Sequence, residues 1–386
     1  MTPTDTTAGA RAGPREWVGL AMLTLPALLV AMDMTVLHLA VPELSVDLRP
    51  TSTQLLWIVD VYGFLIAGFL ITMGNLGDRI GRRRLLMIGA AAFGVASMLA
   101  AFSSTAEMLI ATRALLGIAG ATLAPSTLAL IRNMFLDPAQ RTRAISLWFT
   151  SFLAGAAAGP LVGGILLEFF WWGSVFLIGV PVMVVLLIGA PVLLPEYRDP
   201  RAGRLDPLSA VGSVAAVLAV VYGLKQIAVD GLTLWPVLAT VAGLLFAVAF
   251  VRRQRGLVEP LIDMVLFRDR RLSVSLVALT LAAAIMMGIN YLVATHLQLV
   301  LGLSALETGL WMLVPLVAGL VSMTFAPTVV RRVRPGVLLG GGMVVAALGI
   351  GMVGTGGSGL AIVVTGLAVA FAGLMPVTAL GADIVL

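Results

Sequence analysis

The sequence predicts an all-α membrane protein, and three observations carry that prediction. Hydrophobic residues make up 60% of the 386-residue chain and charged residues only 11%, against roughly 25% charged in soluble domains. Apolar runs of about 20 residues, the length needed to cross a bilayer, recur twelve times. Threading them with the N-terminus on the cytoplasmic side puts 21 of the 24 Lys and Arg residues in cytoplasmic segments. Arg49 and Lys225 fall on the outer side and Arg113 falls within a span. Basic residues are retained on the cytoplasmic face, so an asymmetry this large is hard to obtain with a wrong helix count.

The elements follow in chain order. A polar tail, residues 1–16, is expected to be cytoplasmic and disordered. Six spans come next, at 17–40, 54–75, 84–103, 106–130, 143–166 and 172–194, and form an N-terminal six-helix bundle over 17–194. The segment PEYRDPRAGRLDP, residues 195–207, closes that bundle as a polar link. An inserted transmembrane helix pair occupies 207–251, with spans at 207–227 and 232–251. The cytoplasmic linker 252–271 is amphipathic and suited to lying along the membrane surface. Four more spans, at 272–296, 306–330, 336–354 and 359–380, form a partial C-terminal bundle over 272–386. Transporters are commonly built from repeated bundles around a central site. A six-helix unit therefore calls for a six-helix counterpart, and the expectation is a chain truncated by about two helices.

Composition excludes several function classes. There is no cysteine, which removes disulfides, thiol catalysis and cysteine metal sites. Two histidines, His38 and His296, are too few for a histidine cluster. Lys225 is the only lysine and follows Leu224, so no phosphate-binding loop ending in Gly-Lys exists. The chain is basic, with a net charge of +5, but its arginines sit in short links and form no nucleic-acid-binding stripe. No enzyme activity, cofactor, metal or nucleic-acid partner is expected.

Four stretches carry the chemistry. Gly74 to Leu86, GNLGDRIGRRRLL, compresses glycines, one acid and four arginines into the link after the second span. Asp78 there can bond a guanidinium or cap the next helix. Arg113, in Arg113-Ala-Leu-Leu-Gly117, is a charge inside a span, where it either faces a cavity or snorkels to the interface. Gly155-Ala-Ala-Ala-Gly159-Pro160-Leu-Val-Gly163-Gly164 offers a small-residue face for close helix packing, with Pro160 kinking the span. Asp33 and Asp60 are carboxylates within the first two spans.

The order Gly74-x-x-x-Asp78-Arg79-x-Gly81-Arg82-Arg83 resembles the loop between helices 2 and 3 of major facilitator superfamily transporters. Arg113 to Gly120 resembles the helix 4 motif of that family, and Gly155 to Gly164 its antiporter signature in helix 5. Met32-Asp33-Met34-Thr35-Val36, Trp57-Ile-Val-Asp60-Val-Tyr62, Phe176 to Pro181 and Pro260-Leu-Ile-Asp263 are similar to the fourteen-helix drug:proton antiporters. The resemblance implies a major facilitator fold and proton-coupled export of lipophilic cations such as quaternary ammonium compounds and dyes, with fluoroquinolones as further candidates. It implies a monomer in the bacterial cytoplasmic membrane, a role for Arg113 in proton coupling, and a conformational gate at Gly74, Asp78, Arg79, Gly81 and Arg82. His38 and Gly179 stand where many relatives have asparagine, and Trp172-Gly173-Ser174 lacks a common arginine. No acid occurs over 308–330, where Leu320 stands near the expected place, which weakens the case for divalent cations.

The two acids suggest a mechanism. Both are placed about 10 Å below the outer surface on adjacent helices, at 1.5 Å per residue. An ionised carboxylate in a span costs about 2.5–3.5 kcal/mol, so each readily exchanges a proton for a cationic drug. Met32, Met34, Trp57 and Tyr62 lie within one turn and would hold the drug's apolar body. A dedicated exporter of a self-made antibiotic or metabolite, and a non-transporting fragment, are the alternatives.

Overall fold

The computed structural model describes residues 11–198, 206–257, 260–261, 264–330, 335–355 and 359–385. Among these, twelve segments are helical, long and apolar enough to cross a membrane. The chain divides into two compact units, residues 1–159 with 171–263, and residues 160–170 with 264–386. The inserted helix pair thus belongs to the first unit, because its leading helix packs on the second span.

In the first unit, α1 (Pro14–Leu48), α2 (Ser52–Ile80), α3 (Arg82–Ala101) and α4 (Ala106–Met134) follow one another through short links. Helix α4 lies at the centre, along α2, α3 and α1. A Cβ at Gly117 of α4 would come 2.6 Å from the Tyr62 carbonyl oxygen, so glycine there lets α4 and α2 approach closely. Helix α5 (Pro138–Phe169) runs as continuous α-helix through Pro160, and the boundary between the units falls at the Gly159–Pro160 bond. The sixth span is interrupted: α6 (Ser174–Leu177) gives way at Ile178 to α7 (Gly179–Leu193), which packs on α3 and α1.

Two boundaries differ from those read in the sequence. The tail was expected to run to residue 16, but α1 begins at Pro14. Gly13 N–H donates to the Glu16 carboxylate at 2.7 Å and Ala12 N–H to Gln140 at 2.8 Å. Residues 1–10 lie outside the described residues. The charged link was expected over 74–86, but α2 continues helically to Ile80 and α3 starts at Arg82. Gly81 alone makes the reversal, with φ 111°, a value that side chains strongly disfavour.

The inserted pair is a hairpin of α8 (Pro207–Asp230) and α9 (Leu234–Gly256), turned at Gly231 with φ 75°. A polar clasp closes its base. Arg253 donates to both Asp206 oxygens at 2.6 and 2.9 Å, Ser209 donates to Asp206 at 2.5 Å, and Gln254 donates to Ser209 at 2.7 Å. Gln254 also accepts from Leu261 N–H at 2.6 Å, which ties down the chain beyond α9. The hydrogen bonds from Arg253 and Ser209 hold the Asp206 carboxyl well below the usual carboxylate range. The linker read as 252–271 therefore begins inside α9, whose last turn includes Arg253 and Arg255.

The second unit comprises α10 (Arg270–Leu299), α11 (Ala305–Val330), α12 (Pro335–Thr355) and α13 (Leu360–Val385), preceded by a 3-10 turn at Leu266–Arg268. Helix α13 packs along α12, α11 and α10. Its core is Ala282, Ala346, Leu374 and Val377, with Ser322 donating to the Ala372 carbonyl at 2.6 Å. The arginines over 331–334 and Asp263 lie outside the described residues.

Candidate functional site

Arg113 is the largest fully buried side chain among the described residues, at 1% exposure. It extends from α4 between α1 and α2. Its Nη1 donates to Asp33 Oδ2 at 2.5 Å, Nε to the Ile58 carbonyl at 3.1 Å and Nη2 to the Val59 carbonyl at 3.3 Å. The guanidinium carbon lies 4.5 Å from the centroid of the Tyr62 ring and 5.8 Å from that of Phe176. Snorkelling is thereby excluded: a buried arginine is tolerable when a carboxylate, carbonyl dipoles and aromatic faces together replace its water. Asp33, at 6% exposure, is equally enclosed. Breaking such a pair by deleting one partner costs about 3–5 kcal/mol.

Asp60 has a different partner. Lys225 of α8 forms an ion pair with Asp60, donates to the Leu56 carbonyl at 3.3 Å and sits 5.2 Å from the Phe64 ring centroid. Lys225 was assigned to an outer link by the charge count, but it lies within α8 and reaches into α2. The two acids therefore do not stand as a shared pair of unneutralised carboxylates: each has its own cation. Trp57 stacks on Tyr222 of α8, with centroids 5.9 Å apart. A small cleft opens beside them, lined by Thr53, Leu56, Trp57, Tyr222, Lys225 and Gln226.

The expected pocket residues separate accordingly. Tyr62 belongs to the Arg113 enclosure, with its hydroxyl near the Val30 carbonyl at 3.4 Å. Trp57 faces the inserted hairpin, Met32 is buried and Met34 half-buried. Helix α5 fits tightly on α1 here: a Cβ at Gly155 would overlap the Leu28 carbonyl, and one at Gly159 the Thr35 hydroxyl. Thr35, two residues from Asp33, in turn donates to the Ala156 carbonyl at 3.0 Å. Gly163 and Gly164 are buried further along α5.

At the α2–α3 turn, Arg82 pairs with Asp78 at 2.5 Å, and Arg82 N–H donates to the Tyr197 carbonyl at 2.8 Å. Glu196 accepts from Arg83 N–H at 3.1 Å and lies 3.6 Å from the Arg83 Nε and 3.9 Å from that of Arg84. A carboxylate at the start of α3 is favoured by the helix dipole. Gly74 meets Pro125 of α4 in ordinary contact, and Arg79 is half-buried. Sequence reading missed Glu196 and Tyr222, which carry no local motif. It also missed Lys225 as a partner, although a lone lysine inside a predicted span is a functional signal.

Among the described residues, twelve helices able to cross a membrane, a buried acid–arginine pair and a glycine-hinged basic turn are features expected of a multi-pass membrane transporter. The chain matches the Major Facilitator Superfamily over residues 23–385 and belongs to that family. It is 46% identical over 352 residues to the multidrug efflux pump LfrA of Mycolicibacterium smegmatis, covering 91% of this chain and 69% of that protein. The methyl viologen resistance protein SmvA of Salmonella typhimurium is 43% identical over 339 residues, covering 86% and 68%. The puromycin resistance protein pur8 of Streptomyces alboniger is 31% identical over 352 residues, covering 91% and 70%. A POT family transporter crystallised with 5-aminolevulinic acid shares the fold with a TM-score of 0.67 at 16% identity, covering 95% of this chain and 83% of that one. A bacterial homolog of the human lysosomal transporter Spinster does so at 0.58 and 16%, covering 97% and 75%.

Proposed function

We propose that this efflux-family transporter exports lipophilic cations, including quaternary ammonium compounds and dyes, in exchange for protons. The observation that carries the reading is the sealed Asp33–Arg113 pair. Protonating Asp33 removes the counter-charge of Arg113 where both side chains are buried, so proton uptake is expected to require rearrangement of α1, α2 and α4. Proton uptake thereby biases one conformation over another, which is the requirement for coupling. Asp60 serves recognition of the cation, with Met32, Met34, Trp57 and Tyr62 supplying apolar and aromatic surface nearby.

The remaining assignments follow from this reading. Gly74, Asp78, Arg79, Gly81 and Arg82 act as the conformational gate on the cytoplasmic face. Gly155, Gly159, Pro160, Gly163 and Gly164 form the antiporter motif, and at Gly155 and Gly159 α5 packs closely on α1. The chain works as a monomer in the bacterial cytoplasmic membrane with its N-terminus inside. SmvA is named for methyl viologen resistance, and methyl viologen is an organic cation, which supports a cationic substrate class while leaving the number of charges open. The test is ethidium efflux from energised cells carrying Asp33→Asn at matched expression: efflux should fall to background, and undiminished efflux would sink the coupling role. A second reading, export of one self-made antibiotic, draws on the likeness to pur8 at 31% identity. Efflux of several chemically unrelated cations by this chain would eliminate it.

A further inference from the structure

The ammonium of Lys225 meets three groups, all on α2: the Asp60 carboxylate, the Leu56 carbonyl and the Phe64 ring. A carboxylate, a carbonyl dipole and an aromatic face are together the features that recognise an organic ammonium. The site is not sealed, since the Lys225 and Asp60 side chains are 26% and 32% exposed. The Trp57–Tyr222 stack, beside a small cleft that Lys225 also lines, offers a flat aromatic wall next to it. We propose that α2 carries a cation-recognition site and that the inserted hairpin fills it with a tethered ammonium, Lys225, which a substrate cation must displace from Asp60.

This proposal rests on the cation-export reading and gives the inserted hairpin a role in specificity. A tethered group competes at a high effective concentration. The apparent affinity of an incoming cation is its intrinsic affinity multiplied by the fraction of time that Lys225 is away. A small ammonium ion offers Asp60 nothing that Lys225 does not already supply. A cation with a broad aromatic body gains the Trp57–Tyr222 wall as well, so the competitor filters for lipophilic aromatic cations. The plainer role, a bond that only fastens α8 to α2, predicts that substrate binding leaves Lys225 in place.

Because Lys225 is the only lysine in the chain, its amine is a unique reporter. The purified full chain is treated with a water-soluble succinimidyl ester, with and without saturating tetraphenylphosphonium. Peptide mapping separates Lys225 from the N-terminal amine, and tryptophan fluorescence follows binding. Tetraphenylphosphonium is expected to speed Lys225 labelling about three- to tenfold, as release of a partly exposed ion pair allows. Lys225→Met is expected to raise tetraphenylphosphonium affinity by a similar factor, and Lys225→Arg to leave it unchanged. Saturated binding with unchanged or slower labelling overturns the proposal. Ethidium efflux by the wild-type chain in cells then decides the wider reading: efflux with unchanged labelling removes only the competitor, whereas neither efflux nor binding removes both.

Discussion

Two ion pairs within the spans of the first unit, Arg113–Asp33 and Lys225–Asp60, are built differently. The Arg113 and Asp33 side chains are 1% and 7% exposed, and Arg113 also holds two carbonyls and two aromatic rings. The Lys225 and Asp60 side chains are 26% and 32% exposed, with one carbonyl and one ring. Arginine's planar fork suits a permanent, many-partnered site, while the compact ammonium of lysine makes fewer fixed contacts and is more easily exchanged. Under the proposed exchange, burial would divide the labour: the sealed pair would answer to protons, which need no space, and the open pair to bulky cations.

Substitutions can break or sharpen that contrast. The largest effect is expected at the sealed pair. Arg113→Ala leaves Asp33 buried without its partner, at a cost of about 3–5 kcal/mol, and should abolish proton-driven ethidium efflux with a marked loss of thermal stability in detergent. Retention of both would show that the pair is no more critical than an exposed one.

Next comes the packing that seals it. Gly155→Val forces a side chain into the Leu28 carbonyl of α1. Overpacking costs about 1–3 kcal/mol, and efflux should fall severalfold without loss of insertion, as measured by dye efflux at matched membrane expression. Unaltered efflux would separate the α1–α5 contact from the Asp33 site.

At the open pair, Asp60→Asn should lower efflux of cationic dyes about tenfold while sparing neutral substrates, since a single charge contact is lost. Equal losses for both would count against charge recognition there. At the α2–α3 turn, Gly81→Ala places a side chain at φ 111° and 2.5 Å from Glu196. It should cost about 1–3 kcal/mol, read as slower turnover with an unchanged substrate profile.

The smallest effect belongs to the hairpin clasp. The folded-state carboxyl of Asp206 is depressed by its bonds from Arg253 and Ser209, so its contribution is fully present above the unfolded carboxylate range. It is lost only as pH falls through the lower folded value. The melting-temperature difference between wild type and Asp206→Asn should therefore be small and constant from pH 5 to 8, shrinking only in stronger acid. A difference that already fades near pH 6 would point to another titrating group.

Much of this was legible in the sequence for a simple reason. Span positions and the family motifs depend on local composition, and twelve apolar runs read by length agree with twelve spanning helices. Arg113 and Asp33 were each recognisable as costly intramembrane charges. Their pairing was not, because 80 residues separate them and no periodicity links α1 to α4. The same holds for Lys225, which is 165 residues from Asp60 and was read as an outer-link charge.

The α2–α3 segment shows the division most clearly. Its glycine and arginine order was enough to identify the family. Only the fold showed that Gly81 alone makes the turn and that Glu196, from beyond the sixth span, closes on the start of α3. The amino-acid sequence by itself determined what must lie in the membrane and which charges lie there at a cost. Tertiary structure decided which opposite charge meets each of them and how much water remains, because counter-charge and burial depend on helices distant in sequence coming together.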